Sequence, residues 1–428
     1  MALGKTPASS APYRTCVVQT PSRRQEREEC REPNRLPSAI RPPPKLPRRG
    51  SGWNARKSVD SALLFVEFAP RVCYDHGPEG PERATPDRHF PFPWLATGGG
   101  HTPVAIEREW IAAWQDAAIW KDAQWGRLLV RGEDRLAFLQ RMSTNDFRGM
   151  QPGMVLPTVF TTPTGRIVDW AHAWALEEEI LLLTSPGAGP TLRSWLRRYI
   201  FFRDRVRIED GADRWEVMGL IGPRAVERLG WSPGSSYGSQ RIRVEAMEVL
   251  AARTDFPPVI WIIGPPDPLR ALQEHLEAQG VPAMGKATWE IWRIEQGIPA
   301  WGRELTERVN PLEAGLRFAI SFQKGCYIGQ EVIARLEHYE KVRRRLMGLH
   351  LEEEIPAEGA RLEVEGQEVG WLTSSVRSPR WGPIGLGYVL REYAEPGRPL
   401  SVRSGERAIP ARLATLPFSW NPMPGAPE

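Results

Sequence analysis

Regular patterns of apolar residues begin near residue 102 and continue through the rest of the chain. Thr102 is a good N-cap and Pro103 a good first helical residue, and Trp110 and Trp114 lie four residues apart on one face of the predicted helix. Further helices are predicted after residues 132–134 and at residues 192–199, 269–278, 287–295 and 330–335.

Short alternating segments predict strands between these helices. Residues 155–161 and 167–174 alternate about the turn at residues 163–165, which indicates a hairpin. Strands mixed with helices, without regular βαβ alternation, predict an α+β body. Further strands are predicted at residues 128–130, 215–221 and 259–263.

The pattern changes after Arg345 to short strands separated by glycines. This spacing predicts a separate small β-barrel or sandwich of about 80 residues, which we place at residues 345–428, after a body at residues 101–344.

Residues 1–100 differ from the rest in composition. They contain a triple proline, a charged run and a triple glycine, and only residues 62–68 resemble a strand. Such a segment buries too little surface to offset its ordering entropy, so we predict a disordered leader. A transit peptide is an alternative, although the acidic residues of the leader argue against it. A second alternative is that the start codon has been assigned too far upstream.

Charge and cysteine content narrow the classes of function. The formal net charge is +4, but residues 1–50 hold 11 Lys and Arg against 4 Glu, which leaves about −3 for residues 51–428. The body is therefore not basic, and no nucleic-acid partner is expected. The four cysteines match no zinc or disulfide spacing, so we expect no stable metal site and a reducing, cytoplasmic compartment. No apolar run reaches the length of a membrane span, so no membrane partner is expected.

The body contains one cysteine, Cys326, in the sequence KGCYIGQE at residues 324–331. Two glycines in five positions, Gly325 and Gly329, predict a tight turn or a close backbone approach. A thiol just before a helix, with Lys324 two residues away, is expected to have a lowered pKa. The alternative is a small buried core residue, the fate of most free cysteines.

This motif resembles the signature of the YgfZ-type proteins, which are folate-binding relatives of the glycine-cleavage T-protein. The resemblance extends to blocks that keep the family's order between residues 102 and 420. These blocks are residues 132–134, 138–140, 144–146, 293–299, 310–316, 369–374 and 384–389.

The resemblance implies a T-protein-like (GcvT-like) α+β folate-binding body with a C-terminal small β-barrel. It also implies a tetrahydrofolate-dependent role in assembling or maintaining iron–sulfur clusters on client enzymes. Cys326 would be the working thiol, with Lys324 stabilising the anion and Gln330 and Glu331 capping the turn or tuning the thiol. One cysteine cannot hold a stable cluster, so client enzymes or cluster carriers would supply the other ligands. We expect a monomer.

Folate contacts are predicted from the matching blocks at Asn145, Asp169, Arg293 and Glu313. Two departures from the T-protein pattern weaken the case for aminomethyl transfer. Where that family has paired acids this chain has Asp169 followed by Trp170, and residues 252–258 lack the expected glycines and glutamate. Solvent-facing or ion-paired structural roles are the alternatives for these candidates.

Two other classes of function stay open. A tetrahydrofolate-dependent aminomethyl or one-carbon transferase is supported by Asp169 and residues 310–316. A cysteine-nucleophile hydrolase needs a base, and the body histidines show no recognised spacing. The 18 tryptophans are interpreted mainly as core and groove-lining residues.

Overall fold

The computed structural model describes residues 104–244, 247–352 and 354–418, together with Cys16–Val17. The side chains of Val244 and Met247 are not described. The strand predicted at residues 62–68 and nearly all of the predicted leader lie outside the described residues, as do Thr102 and Pro103.

One sheet of the body has seven strands in the order β1-β9-β10-β11-β8-β2-β12. Most neighbours are antiparallel, whereas β12 pairs parallel with β2 and β1 pairs parallel with β9. The strands are β1 Cys16–Val17, β2 Ala118–Trp120, β8 Glu216–Ile221, β9 Ser239–Val244, β10 Met247–Arg253, β11 Ile260–Gly264 and β12 Ala283–Met284.

The second sheet of the body has five antiparallel strands in the order β4-β5-β6-β3-β7. Its strands are β3 Trp125–Arg131, β4 Val155–Thr161, β5 Ile167–Ala175, β6 Glu179–Pro186 and β7 Arg207–Asp210. The predicted hairpin of residues 155–174 is therefore confirmed as β4 and β5.

Seven α-helices accompany the sheets within the described residues. They are α1 Val104–Gln115, α2 Arg135–Met142, α3 Gly189–Arg197, α4 Ala225–Arg228, α5 Pro266–Ala278, α6 Lys286–Glu295 and α7 Gln330–His338. The helices predicted from periodicity are present, with ends shifted by a few residues.

The C-terminal region forms a closed barrel in the order β13-β16-β15-β14-β17-β18. Its strands are β13 Arg344–Leu351, β14 Arg361–Val364, β15 Gln367–Ser378, β16 Gly382–Leu390, β17 Pro399–Ser404 and β18 Arg407–Ala414. Closure pairs β13 with β18 and removes the exposed strand edges. An α+β body with a small C-terminal barrel is the predicted fold class, which the structure confirms.

Buried Glu295 joins the first helix, α6 and the barrel. Its carboxylate accepts hydrogen bonds from the indole nitrogens of Trp110 and Trp114 and from Ser378 Oγ at the end of β15. Burial raises the pKa of Glu295 to about 7. The Trp110/Trp114 pair predicted for one helix face therefore holds α1 against the rest of the fold.

Candidate functional site

A cavity of about 450 Å³ lies between the two sheets of the body and against α6. Six tryptophans from different elements contribute to its wall, namely Trp120, Trp125, Trp170, Trp261, Trp289 and Trp301. Its size and its aromatic wall are those of a small-molecule site.

The tryptophans hold one another in place. Trp120 and Trp289 stack with ring centroids 4.7 Å apart and planes 3° from parallel, and Trp125 meets Trp261 edge-on at 4.9 Å. Indoles fixed by such contacts form a rigid apolar surface that loses little entropy when a flat ring binds.

Several polar atoms of the wall lack a partner. The indole nitrogens of Trp120, Trp170 and Trp261 and Nε2 of His172 are buried and form no hydrogen bond among the described residues. Burial lowers the pKa of His172 to about 4, so its imidazole is neutral at pH 7. Unpartnered buried polar groups are uncommon and need an explanation. A polar ligand bound near this wall is one explanation for these unpartnered atoms.

Arg293, a predicted folate contact, lies in the cavity wall but is only 2% exposed. Its guanidinium donates to Glu290 at 2.7 Å, to Ser374 Oγ at 2.8 Å, and to both Ile298 O and Glu304. Burial acts to lower the pKa of Arg293, but the carboxylates of Glu304 and Glu290 raise it overall. The arginine therefore stays charged and joins α6 to the barrel.

Asp169, a second predicted contact, is fully buried but is not among the residues that line the cavity. It pairs across the hairpin with Phe160, so its side chain shares the face of β5 that packs against α2 and α3. Ser185 N donates to one carboxylate oxygen at 3.2 Å, and the other oxygen has no described partner. Burial raises the pKa of Asp169 to about 7.

Trp170, the next residue, takes the cavity-facing position that alternation assigns to it. The position at which the resemblance leads us to expect a second acid is thus filled by an indole. The carboxylates that do line the cavity are engaged, since Glu290 pairs with Arg293 and Arg303, and Asp122 accepts from Gln124 N.

Asn145 and Glu313, the remaining predicted contacts, are not among the cavity-lining residues. Asn145 Nδ2 donates to Pro157 O at 2.8 Å. The Glu313 carboxylate accepts from Asn310 N at 3.1 Å and lies 3.7 Å from Arg166 Nη1. Asn145 therefore ties its loop to β4 and Glu313 supports the turn that begins at Asn310, and the contact of either side chain with a ligand stays a prediction.

Cys326 is exposed, so the alternative of a buried core cysteine is wrong. Its loop is anchored by Lys324, whose Nζ donates to Gln140 O and Ser143 O, each at 2.7 Å, and to Asn145 O at 2.5 Å. Burial lowers the pKa of Lys324 to about 7, whereas the three carbonyls favour its charged form. These bonds use all three ammonium donors, so any effect of Lys324 on the thiol acts through charge alone.

The other two residues predicted to assist the thiol lie at the start of α7. Gln330 Nε2 donates to Lys324 O at 3.3 Å and so closes the loop around the cysteine. Glu331 is exposed and pairs with Arg335 one turn later. Gln330 therefore supports the turn, whereas Glu331 faces solvent.

The cavity tryptophans were only partly anticipated. The sequence predicts core and groove-lining roles for the tryptophans as a group, but nothing in the local sequence groups Trp261 and Trp289 with Trp120, Trp125 and Trp301. The available signal was the high tryptophan content, which does not say which rings meet. Among the described residues no group of three or more His, Cys, Asp or Glu is arranged to hold a metal ion.

Comparisons with known proteins agree with this architecture. The family model of the GCVT N-terminal domain matches residues 97–324, and the model of the glycine cleavage T-protein C-terminal barrel domain matches residues 344–419. A body of this kind followed by a C-terminal barrel, matched in that order by the two models, defines a T-protein-like protein. The chain belongs to the glycine cleavage T-protein family.

Individual relatives are similar over most of their length. An aminomethyltransferase of Thermus thermophilus is 30% identical over 74% of this chain and 90% of its own. A chloroplastic "putative transferase" of Arabidopsis thaliana is 37% identical over 65% of this chain and 67% of its own. The crystal structure of the aminomethyltransferase T of Bartonella henselae shares the fold, with a TM-score of 0.64 at 21% identity over 74% of this chain and 90% of that one.

In the described part of the chain no helix is both long and apolar enough to cross a membrane.

Proposed function

We propose that this chain is a YgfZ-type accessory factor. It binds tetrahydrofolate in the tryptophan-lined cavity and acts through Cys326 in assembling or maintaining iron–sulfur clusters on client enzymes. The observation that carries the proposal is the placement of Cys326, the thiol of the body, on an exposed loop held by a buried lysine. A thiol presented in this way is open to a protein partner that supplies the remaining ligands.

The cavity fits a reduced folate in size and in chemistry. Its volume lies within the range of about 300–1,000 Å³ usual for small-molecule sites. The indole faces suit the flat pterin and aminobenzoate rings, and the unpartnered wall atoms are potential partners for ring nitrogen and oxygen atoms. Lys286 lines the cavity, is exposed, and has no ion pair among the described residues, so it is free to pair with a glutamate carboxylate.

Aminomethyl or one-carbon transfer is the second candidate. The observation that favours it is the extent of similarity to relatives named aminomethyltransferase. Trp170 on the cavity face, in place of an acid, and the engaged carboxylates of the wall argue for folate binding without this chemistry. Formation of methylene-tetrahydrofolate from an aminomethyl donor distinguishes the two candidates.

The compartment is part of the proposal. A working thiol needs reducing conditions, which the cytoplasm provides. The Arabidopsis thaliana relative is named as chloroplastic, so a plastid is the alternative compartment.

Calorimetry with tetrahydrofolate tests whether the cavity binds this ligand. We expect binding by the full chain and a loss of about tenfold or more in affinity for Trp289→Leu, because an aromatic stacking contact is removed. Trp371→Leu is the matched control, since Trp371 is similarly half-buried but lies in the barrel and does not line the cavity. Absence of heat and of thermal stabilisation up to millimolar ligand would remove folate from the account.

A further inference from the structure

Two adjacent phenylalanines project from the surface just after α3. Phe201 is 65% exposed and Phe202 is 92% exposed, although large aromatic side chains are usually buried. We call residues 200–205 the phenylalanine loop. Its chain is held in a turn by Asp204, whose carboxylate accepts from Phe201 N at 2.8 Å. The two rings are therefore presented by a structured turn.

The phenylalanine loop lies in a positively charged surface. Arg198, Arg203 and Arg207 are exposed and form no ion pair among the described residues. The guanidinium of Arg203 lies 5.2 Å from the ring centre of Phe202. Because residues 51–428 together carry a small negative charge, this local excess of arginine is a specific feature and not a consequence of composition.

The same surface adjoins the loop of residues 324–329, which we call the cysteine loop, through Arg141, the penultimate residue of α2. Its carbonyl accepts from Ile328 N at 3.1 Å, two residues after Cys326. Its guanidinium pairs with Asp204 and lies 5.8 Å from the ring centre of Phe201. One residue thus contacts both loops, and the C-terminal turn of α2 lies between the phenylalanines and the thiol.

We infer that the phenylalanine loop and its arginines form the docking surface for an acidic partner protein, whose apolar pocket receives Phe202. This inference rests on the proposed function, because docking here would bring the partner's cluster site to Cys326. Rigid aromatic anchors beside arginine are typical of residues that dominate binding energy at protein interfaces. The unpaired arginines complement acidic residues around the partner's pocket and favour its approach.

The experiment uses the full chain in a strain from which its gene is deleted, with the activities of several cluster enzymes as readout. One variant combines Phe201→Ser with Phe202→Ser, and a second combines Arg198→Glu with Arg203→Glu. The matched controls are Ile355→Ser and Arg412→Glu, exposed positions on or beside the barrel. All the changed side chains are exposed, so the variants should melt near the wild-type temperature.

We expect both docking variants to lose about tenfold or more of the rescued activity, as hot-spot residues do, while the controls rescue like wild type. Tetrahydrofolate affinity and the rate of Cys326 alkylation by iodoacetamide should not change. Phenylalanine variants that rescue fully, while Cys326→Ser does not, would overturn the docking surface and leave the proposed function intact. If Cys326→Ser also rescues fully, the proposed function itself fails.

A membrane is the other surface that exposed phenylalanine and arginine side chains can bind. Flotation with phosphatidylglycerol vesicles tests whether the phenylalanine loop binds a membrane. We expect the full chain not to float with the vesicles. Flotation that is lost in the Phe201→Ser, Phe202→Ser variant would contradict a protein partner and assign the loop to an anionic lipid surface.

Discussion

Gly325 and Gly329 flank the same cysteine but have different surroundings. Gly329 has a left-handed φ of 86°, and a Cβ atom there would lie 2.7 Å from both Thr161 Oγ1 and Thr162 O. Gly325 has open space at this position. The close backbone approach predicted from the sequence is therefore confirmed for Gly329, where α7 begins against the β4–β5 hairpin.

We predict that Gly329→Ala lowers the free energy of unfolding by about 2–4 kcal/mol, because it combines an unfavourable φ with a clash against backbone. Gly325→Ala is the matched control and should change it by no more than about 0.5 kcal/mol. Denaturant unfolding of both variants measures the two changes in the free energy of unfolding. Equal stability of the two would contradict the packing described for the start of α7.

Asp169 should make stability depend on pH. Its pKa is raised by burial to about 7 in the folded protein, well above the ordinary value of about 3.9 for an aspartate in an unfolded chain. The folded state therefore keeps a proton that the unfolded state has lost, and the stabilising contribution present at low pH is lost as pH rises through about 7.

We predict that Asp169→Asn gains stability relative to wild type as pH rises from 4 to 8, by about 1–4 kcal/mol, because the amide does not ionise. Asp213→Asn, a change at an exposed acid, serves as control. Urea unfolding across this pH range is the measurement. A stability difference between variant and wild type that is constant with pH would show that Asp169 is ionised normally in the fold.

At the scale of elements, strongly patterned segments were predictable and weakly patterned ones were not. The β4–β5 hairpin, the helices α2, α5 and α6 and the change to a barrel follow from periodicity and turn residues. Strands β6, β7, β9 and β10 carry no assignment from the sequence. β6 is a short continuous apolar run, which periodicity cannot distinguish from a helix, and β9 is largely polar.

The site was predictable only in part, for a physical reason. Cys326 stands out because it is the thiol of the body, and its exposure agrees with a working role. The cavity is built from residues of β2, β3, β5, β11 and α6, and local sequence does not reveal which side chains meet across two sheets. The side-chain direction of Asp169 likewise depends on the register shift between β4 and β5.

The cysteine loop depends on α2 through Lys324. We predict that Lys324→Met destabilises the protein by about 2–5 kcal/mol, because three carbonyls in the last turn of α2 and the segment just after it lose their donor. Lys341→Met, at an exposed lysine just after α7, should have little effect. The melting temperatures of the Lys324→Met and Lys341→Met variants, measured by thermal unfolding, test this prediction. If both variants melt alike, the buried lysine does not anchor the loop.

For the whole molecule, the leader of residues 1–100 is predicted to be dispensable for folding. A chain starting at Gly98 should keep the full-length melting temperature, because the leader composition cannot form a core. The body sheet pairs with only Cys16–Val17 in the described part of this segment. A fall of many degrees in calorimetry would show that the leader packs on the body.

The central claim is that Cys326 works as a thiol on a folate-binding body, and one complementation measurement tests it most directly. Cys326→Ser is compared with wild type in the deletion strain, with cluster-enzyme activities as readout and melting temperature as the check of folding. A triple variant of Cys16, Cys30 and Cys73 to Ser is the matched control. We predict that Cys326→Ser folds like wild type and restores no activity, while the triple variant restores it fully. A folded Cys326→Ser protein that rescues as well as wild type would contradict the account.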